Sequence, residues 1–276
     1  MRFSLLTFST LLFAFVAASA ALAQQFKIES QIYINGEDQP SSSNVTMFSD
    51  GLVIDFQTKG TQSHEVTILQ PKQHQTILLD RLRRMKLVLD DVQLIKMADA
   101  LRRETSQDKT AGFLVNERFE ETISFDNNAA TLKSPTIEYT VRGSRPADLK
   151  VFPIYSNFID AFTRLQVSDP HAFSPFPRMR LNETIRKVGW IPNAVTVTFQ
   201  PNPLMKQGMT ATSKHTFISE LSSADQTQIA EIKAEWLNFE SVDLYEFRHL
   251  KKPTLSERMA HRNESPSSQD VQVPQR

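Results

Sequence analysis

"NVTMFSDGLVIDFQ", residues 44–57, is the stretch whose reading decides the fold. Asp50-Gly51 is a dipeptide that accepts the positive φ of a tight hairpin turn. Leu52, Ile54 and Phe56 recur at a period of two, the spacing that puts side chains on one face of a strand. The stretch therefore reads as two strands about one turn. Leu52, Ile54 and Phe56, taken together with Phe48, form a candidate apolar surface for a ligand or, more simply, part of a filled core.

The pattern extends both ways. Phe26, Ile28, Ser30, Ile32 and Ile34 alternate with Lys27, Glu29, Gln31 and Tyr33, and the run ends at Asn35-Gly36. "HEVTILQP" (64–71), "QTILLD" (75–80) and "MKLVLD" (85–90) continue the series. Strands that follow one another through short turns predict an antiparallel sheet. Arg81, Arg83, Arg84 and Lys86 crowd the last of these turns. They are expected to be solvated, with Leu82 folded back onto the sheet, since basic residues at strand ends discourage edge-to-edge pairing. An anion site there would need the guanidinium groups to converge.

Helices interrupt the strands. Asp90 or Asp91 can cap a helix whose face is Val92, Ile95, Ala98 and Leu101. "ETISFD" (121–126) and "TIEYTVR" (136–142) read as a hairpin pair. Ile154, Phe158, Ala161 and Leu165 mark a second helix. Leu181, Ile185 and Val188 mark a third, stopped by Gly189, with Trp190 packing back on its last turn. Val195, Val197 and Phe199 share a strand face, and "KHTFISEL" (214–221) is the expected partner. A final helix from Ser223, with Gln226 completing a capping box, should bury Ile229, Ile232, Trp236 and Leu237. The class is α+β, a curved antiparallel sheet packed against several helices, in a single domain over 24–250.

Composition narrows the function. Residues 1–23 combine a basic start at Arg2, an apolar core from Leu5 to Val16 and Ala21-Leu22-Ala23, which predicts a signal peptide cleaved between Ala23 and Gln24. The apolar core is shorter than the ~20 residues of a permanent span, so no stable membrane anchor is expected after cleavage. Removing this segment takes away Arg2 and leaves 30 basic against 31 acidic residues, a net charge of −1. That balance gives no general attraction to nucleic acid. The absence of cysteine excludes thiol nucleophiles and cysteine-held metals. The polar stretch 251–276 is expected to be disordered.

Isolated glycines provide no phosphate loop or dinucleotide fingerprint, so no cofactor is expected. G-x-S-x-G is absent, and no two histidines have the close spacing of a metal pair. No catalytic or metal-ligating set is therefore assigned. A hydrolase would need a site assembled from dispersed residues, such as His171 with Asp169 or His215.

"FKIESQIYINGEDQPSSSNVTMFSDGLVIDF" (26–56) followed by "TILLDRLRRMKLVLDDVQLIKMADAL" (76–101) resembles a group of uncharacterised secreted proteins from planctomycete-type bacteria, over residues 26 to 200. The strand-rich N-terminal half also resembles the periplasmic lipoprotein-carrier fold of the Lol system. This resemblance implies a half-barrel-like sheet closed on one side by helices and sheltering acyl chains. It carries over no residue role by position. The expectation is thus an exported, periplasmic or secreted, non-enzymatic protein that binds an apolar ligand or an envelope partner. A dispersed-site hydrolase and a structural envelope component are the alternatives.

Overall fold

The computed structural model describes residues 25–59, 62–169, 172–201 and 206–249, with backbone alone at 58, 59 and 62–64. The predicted signal peptide with its Ala23/Gln24 cleavage point, His171 and the polar tail lie outside the described residues. Six strands come first: β1 (Phe26–Ile34), β2 (Ser42–Ser49), β3 (Leu52–Lys59), β4 (Gln62–Gln70), β5 (Gln75–Asp80) and β6 (Met85–Asp90). Helices α1 (Asp91–Gln107) and α2 (Phe113–Asn116) lead to β7 (Glu120–Ser124), β8 (Ala129–Lys133) and β9 (Ile137–Ser144). Helices α3 (Val151–Leu165) and α4 (Phe176–Val188) then precede β10 (Ile191–Phe199) and β11 (Met209–Ile218). Helix α5 (Ser223–Asn238), the short β12 (Glu240–Ser241) and α6 (Leu244–Phe247) complete the series.

All twelve strands belong to one open sheet, ordered β12-β6-β5-β4-β3-β2-β1-β11-β10-β9-β8-β7. Every pairing is antiparallel except β12 with β6. Two meanders, β1 to β6 and β7 to β11, meet where β1 pairs with β11, from Lys27↔Ile218 to Ile34↔Ala211. The α+β class holds. The turns follow local chemistry: Asp50 and Gly51 both take positive φ, 54° and 75°, as the two-residue hairpin requires. Gly189, at φ 73°, ends α4 and donates its amide to the Ile185 carbonyl at 3.0 Å. Leu181, Ile185, Val188 and Trp190 are buried as expected.

Helices cover both faces. On the front face, α3 and α4 pack over Phe26, Ile28, Phe48, Val53, Leu69, Leu132, Tyr139 and Val141. On the back face, Ile229 and Ile232 of α5 pack over Met47, Ile54, Phe56, Val66, Ile68, Ile77 and Leu79. Four expectations change. A separate strand, β8, stands between β7 and β9, so "ETISFD" and "TIEYTVR" are not direct partners. In α1 the buried side is Leu94 and Ala98, while Val92 and Ile95 are exposed. In α5 the cap is Ser222 with Asp225, one residue earlier than read. Leu237, 75% exposed, lies about 100° round the helix from Trp236, off the buried stripe.

The basic turn is not simply solvated: Arg84 is exposed, but Arg81, Arg83 and Lys86 are partly buried against partners. Arg81 donates two bonds to Glu235 of α5, Nε to Oε2 at 2.8 Å and Nη2 to Oε1 at 2.6 Å. Arg83 bonds Asp80 at 2.7 Å and reaches the carbonyls of Glu246 and Phe247, at 3.2 and 2.5 Å. Lys86 Nζ donates to the Trp236 carbonyl at 2.8 Å, and Arg84 lies over the Phe239 ring. The last carbonyls of a helix have no partner within it and form the negative end of its dipole, so cations are stabilising there. The cations thus gather to hold the ends of α5 and α6. Leu82, 68% exposed, does not fold back.

Replacing Arg81, Arg83 and Arg84 together by Ser should lower the unfolding free energy by about 1–3 kcal/mol, since bidentate and carbonyl contacts are lost with partly buried partners. Leu237→Ser should change it by less than about 0.5 kcal/mol. Urea melts of the two variants check this; a triple variant as stable as the parent would contradict the clasp.

Candidate functional site

Strand parity fixes which side chains face α3. Because the β2–β3 turn has two residues, Phe48 pairs with Val53, Thr46 with Asp55 and Asn44 with Gln57, all on the front face. Phe48 stacks on Phe26 with ring centroids 4.1 Å apart and meets Phe158 of α3 edge-on at 5.5 Å. Ile54 and Phe56 point the other way and are buried beneath α5, with Leu52 half-buried on that parity. The four residues read together as one apolar surface are therefore divided between two faces.

The structure brings together a set that was not read as one. Ser213 and His215 of β11, Ser30 of β1 and Asn44 and Thr46 of β2 form a polar floor. Ile28, Ile32, Tyr155, Phe158, Ile159 and Phe162 supply apolar walls, and Arg178 comes in from α4. They enclose a cavity of about 220 Å³ between the sheet and α3. Two further cavities flank it under the same helix. One, about 280 Å³, is bordered by Val53, Leu69, His74, Asp91 and Arg164; the other, about 190 Å³, by Asp55, Glu65, Asp169 and Arg248. Asp169 and His215 thus line different cavities.

The floor is hydrogen-bonded throughout. His215 Nδ1 lies 2.8 Å from Ser30 Oγ, and Nε2 lies 3.0 Å from Ser213 Oγ. Ser213 Oγ also donates to the Val195 carbonyl at 3.3 Å. Its proton is used there, so it accepts from Nε2–H, and Nδ1 accepts from the Ser30 hydroxyl. Burial, with Arg178 adding repulsion, brings the imidazole down to a pKa of about 4 and keeps it neutral. Asp55, at the boundary with the third cavity, is buried and raised above the ordinary carboxylate range by that burial. The Thr46 hydroxyl at 2.5 Å and the Asn44 amide at 2.9 Å offset part of the rise. It has no ion-pair partner among the described residues.

A serine bonded to a neutral imidazole invites comparison with a nucleophile and its base. Two features oppose that chemistry. A base with a pKa near 4 is weak at neutral pH. The backbone amides around Ser30 are taken up by the ladders with β2 and β11, so none can serve as an oxyanion donor. What this arrangement can do is hold a partly apolar molecule against a polar, uncharged floor. Among the described residues no group of three or more His, Asp or Glu side chains is placed to hold a metal ion. No described helix is long and apolar enough to cross a membrane.

No family model matches the chain, and no curated protein matches it. Among solved structures, the chain is similar to a LolA superfamily protein from Nitrosomonas europaea. The identity is 9% and the TM-score 0.29, over 74% of this chain and 89% of that one. The resemblance to planctomycete-type secreted proteins has no support in these comparisons.

The titration of His215 carries a sign that can be measured. Its folded pKa lies below the ordinary 6.5, so between about pH 6.5 and 4 the unfolded chain binds more protons. Its contribution to stability is therefore complete above pH 6.5 and is lost as pH falls. His215→Asn should flatten that part of the pH–stability curve in urea melts, and the parent imidazole should remain neutral at pH 5.5 by NMR. A midpoint near 6.5 in the folded protein would contradict the buried, doubly bonded ring.

Proposed function

We propose that this chain is an exported, non-enzymatic binding protein. Its sheet curves, half-barrel fashion, around a partly apolar molecule held beneath α3. The observation that carries the reading is the cavity of about 220 Å³ with Ile28, Ile32, Phe158, Ile159 and Phe162 as walls and Ser30, Thr46, Ser213 and neutral His215 as floor. Pockets of this kind, mostly apolar with a few placed polar groups, are the usual form of small-molecule sites. The volume lies below the usual range of about 300–1,000 Å³, which suits a short chain or the end of a longer one.

Other features support the reading. One apolar cluster runs from Leu69 on β4 through α3 and α4 to Leu132 on β8, as expected if the sheet wraps the helices. Phe48 belongs to the wall behind the cavity through its edge contact with Phe158. Residues 24–250 are taken as one unit, because β1 pairs with strands of both meanders. Export rests on the N-terminal pattern at Ala23-Gln24.

Mass spectrometry of the full chain expressed in a bacterium with a periplasm tests both parts. The exported protein should begin at or near Gln24 and should release an amphipathic molecule on denaturation. Intact Met1 protein in the membrane pellet would overturn export. A clean apo protein that also fails to take up an apolar fluorescent probe would overturn binding.

A further inference from the structure

Arg178 stands in the first turn of α4, a helix of 13 residues. A cation there is opposed by the positive end of the helix dipole, so its position is not one that favours the helix. It has no carboxylate partner among the described residues. Its single hydrogen bond among the described residues runs from Nε to Asn182 Oδ1 at 3.2 Å. Asn182 is itself fixed, donating through Nδ2 to the Ile159 carbonyl and to Thr163 Oγ1, both at 3.1 Å, and to Asp160 Oδ1 at 3.2 Å. The rest of the guanidinium fork is left without an acceptor among the described residues.

Asp160, reached through Asn182, is paired with Arg186, and Asp55 lies behind the floor on Asn44 and Thr46. None of the fourteen residues lining the cavity is acidic. Arg178 is close enough to lower the pKa of His215 and to act on Tyr139 and Tyr155, yet none of these offers it an anion. His215 stays neutral, and burial pushes both phenols up to about 12. Tyr155 lines the same cavity, and its hydroxyl has no hydrogen-bond partner among the described residues. A guanidinium and a phenol O–H are both donors, and a carboxylate or phosphate accepts from both.

Resting on the binding reading above, we infer that the ligand is an amphiphile with one acidic headgroup, received by Arg178 and the Tyr155 hydroxyl, and with its apolar chain along Ile28, Phe158, Ile159 and Phe162. The headgroup chemistry is that of a carboxylate or a phosphate monoester. Arg178 and Tyr155 are binding residues that discriminate by charge, while the walls bind any chain.

Isothermal titration calorimetry at pH 7.5, using the full exported chain stripped of bound lipid, separates the two claims. The probes are decanoate, decyl phosphate, decanol, decyltrimethylammonium and inorganic phosphate. Decanoate and decyl phosphate should bind at least about tenfold more tightly than decanol, the size of one charge-assisted contact. The cationic probe and free phosphate should bind weakly or not at all. Arg178→Gln should remove the preference for the acids over decanol, with a thermal melt matching the parent's. Decanol equal to decanoate in the parent would overturn the headgroup assignment while leaving the binding reading standing, and this ratio does not depend on the variant. A Gln variant that keeps the preference would also overturn it. Free phosphate binding as well as decyl phosphate would replace the amphiphile by a headgroup-only site. Failure of every decyl probe would remove the binding reading itself.

Discussion

The pairing of β1 with β11 is the constraint on which the rest depends. Ser30 and His215 are 185 residues apart in sequence and 2.8 Å apart at their side chains. Bringing such distant segments together costs loop-closure entropy, though each doubling of the loop adds only about 0.6 kcal/mol. The ladder that offsets this cost spans eight residue pairs. Without it there would be two separate meanders, each with a long unpaired edge. With it, β1 lies mid-sheet, its Lys27 reaches the capping Asp225 of α5 at 3.2 Å, and α5 is directed back across the face it covers. A one-residue slip would send His215 to the opposite face and dismantle the cavity floor.

That floor is a polar stripe across an otherwise apolar front face: Ser213, His215, Ser30, Asn44, Thr46, Asp55 and Thr67. Each buried polar group costs free energy unless it is hydrogen-bonded. Here Asn44 and Thr46 satisfy Asp55, and the two serines satisfy both nitrogens of His215. An all-apolar strip would pack as well with less geometric demand. The proposed ligand gives the stripe a use, because a hydrogen-bonded polar floor and the Arg178 guanidinium select a headgroup where aliphatic walls cannot.

The strands and their turns were legible because they depend on neighbours in sequence. Alternation gave β1, Asp50-Gly51 gave the β2–β3 hairpin, and Gly189 gave the end of α4. β8 was missed because Ala129-Ala130-Thr131-Leu132-Lys133 offers little strand preference of its own and is held by partners on both sides. The grouping of Phe48 with Ile54 and Phe56 failed on parity: across a two-residue turn Phe48 must face Val53. That much the sequence contained. The basic turn was misread for a different reason, since Glu235 and the ends of α5 and α6 lie some 150 residues further along. His215 carried no local spacing signal at all. Its polar neighbours at Ser213 and Ser30 stand on strand positions whose parity is otherwise apolar, and this was the one trace the sequence held.

Amide hydrogen exchange read by mass spectrometry tests the β1–β11 seam most directly. Peptides covering 26–34 and 209–218 should exchange with the slowest class in the molecule, opening only with global unfolding, while the edge strand β7 exchanges sooner. Exchange of β1 or β11 as fast as that of β7 would contradict the account, because the two meanders would then be separable and the cavity between them would have no fixed floor.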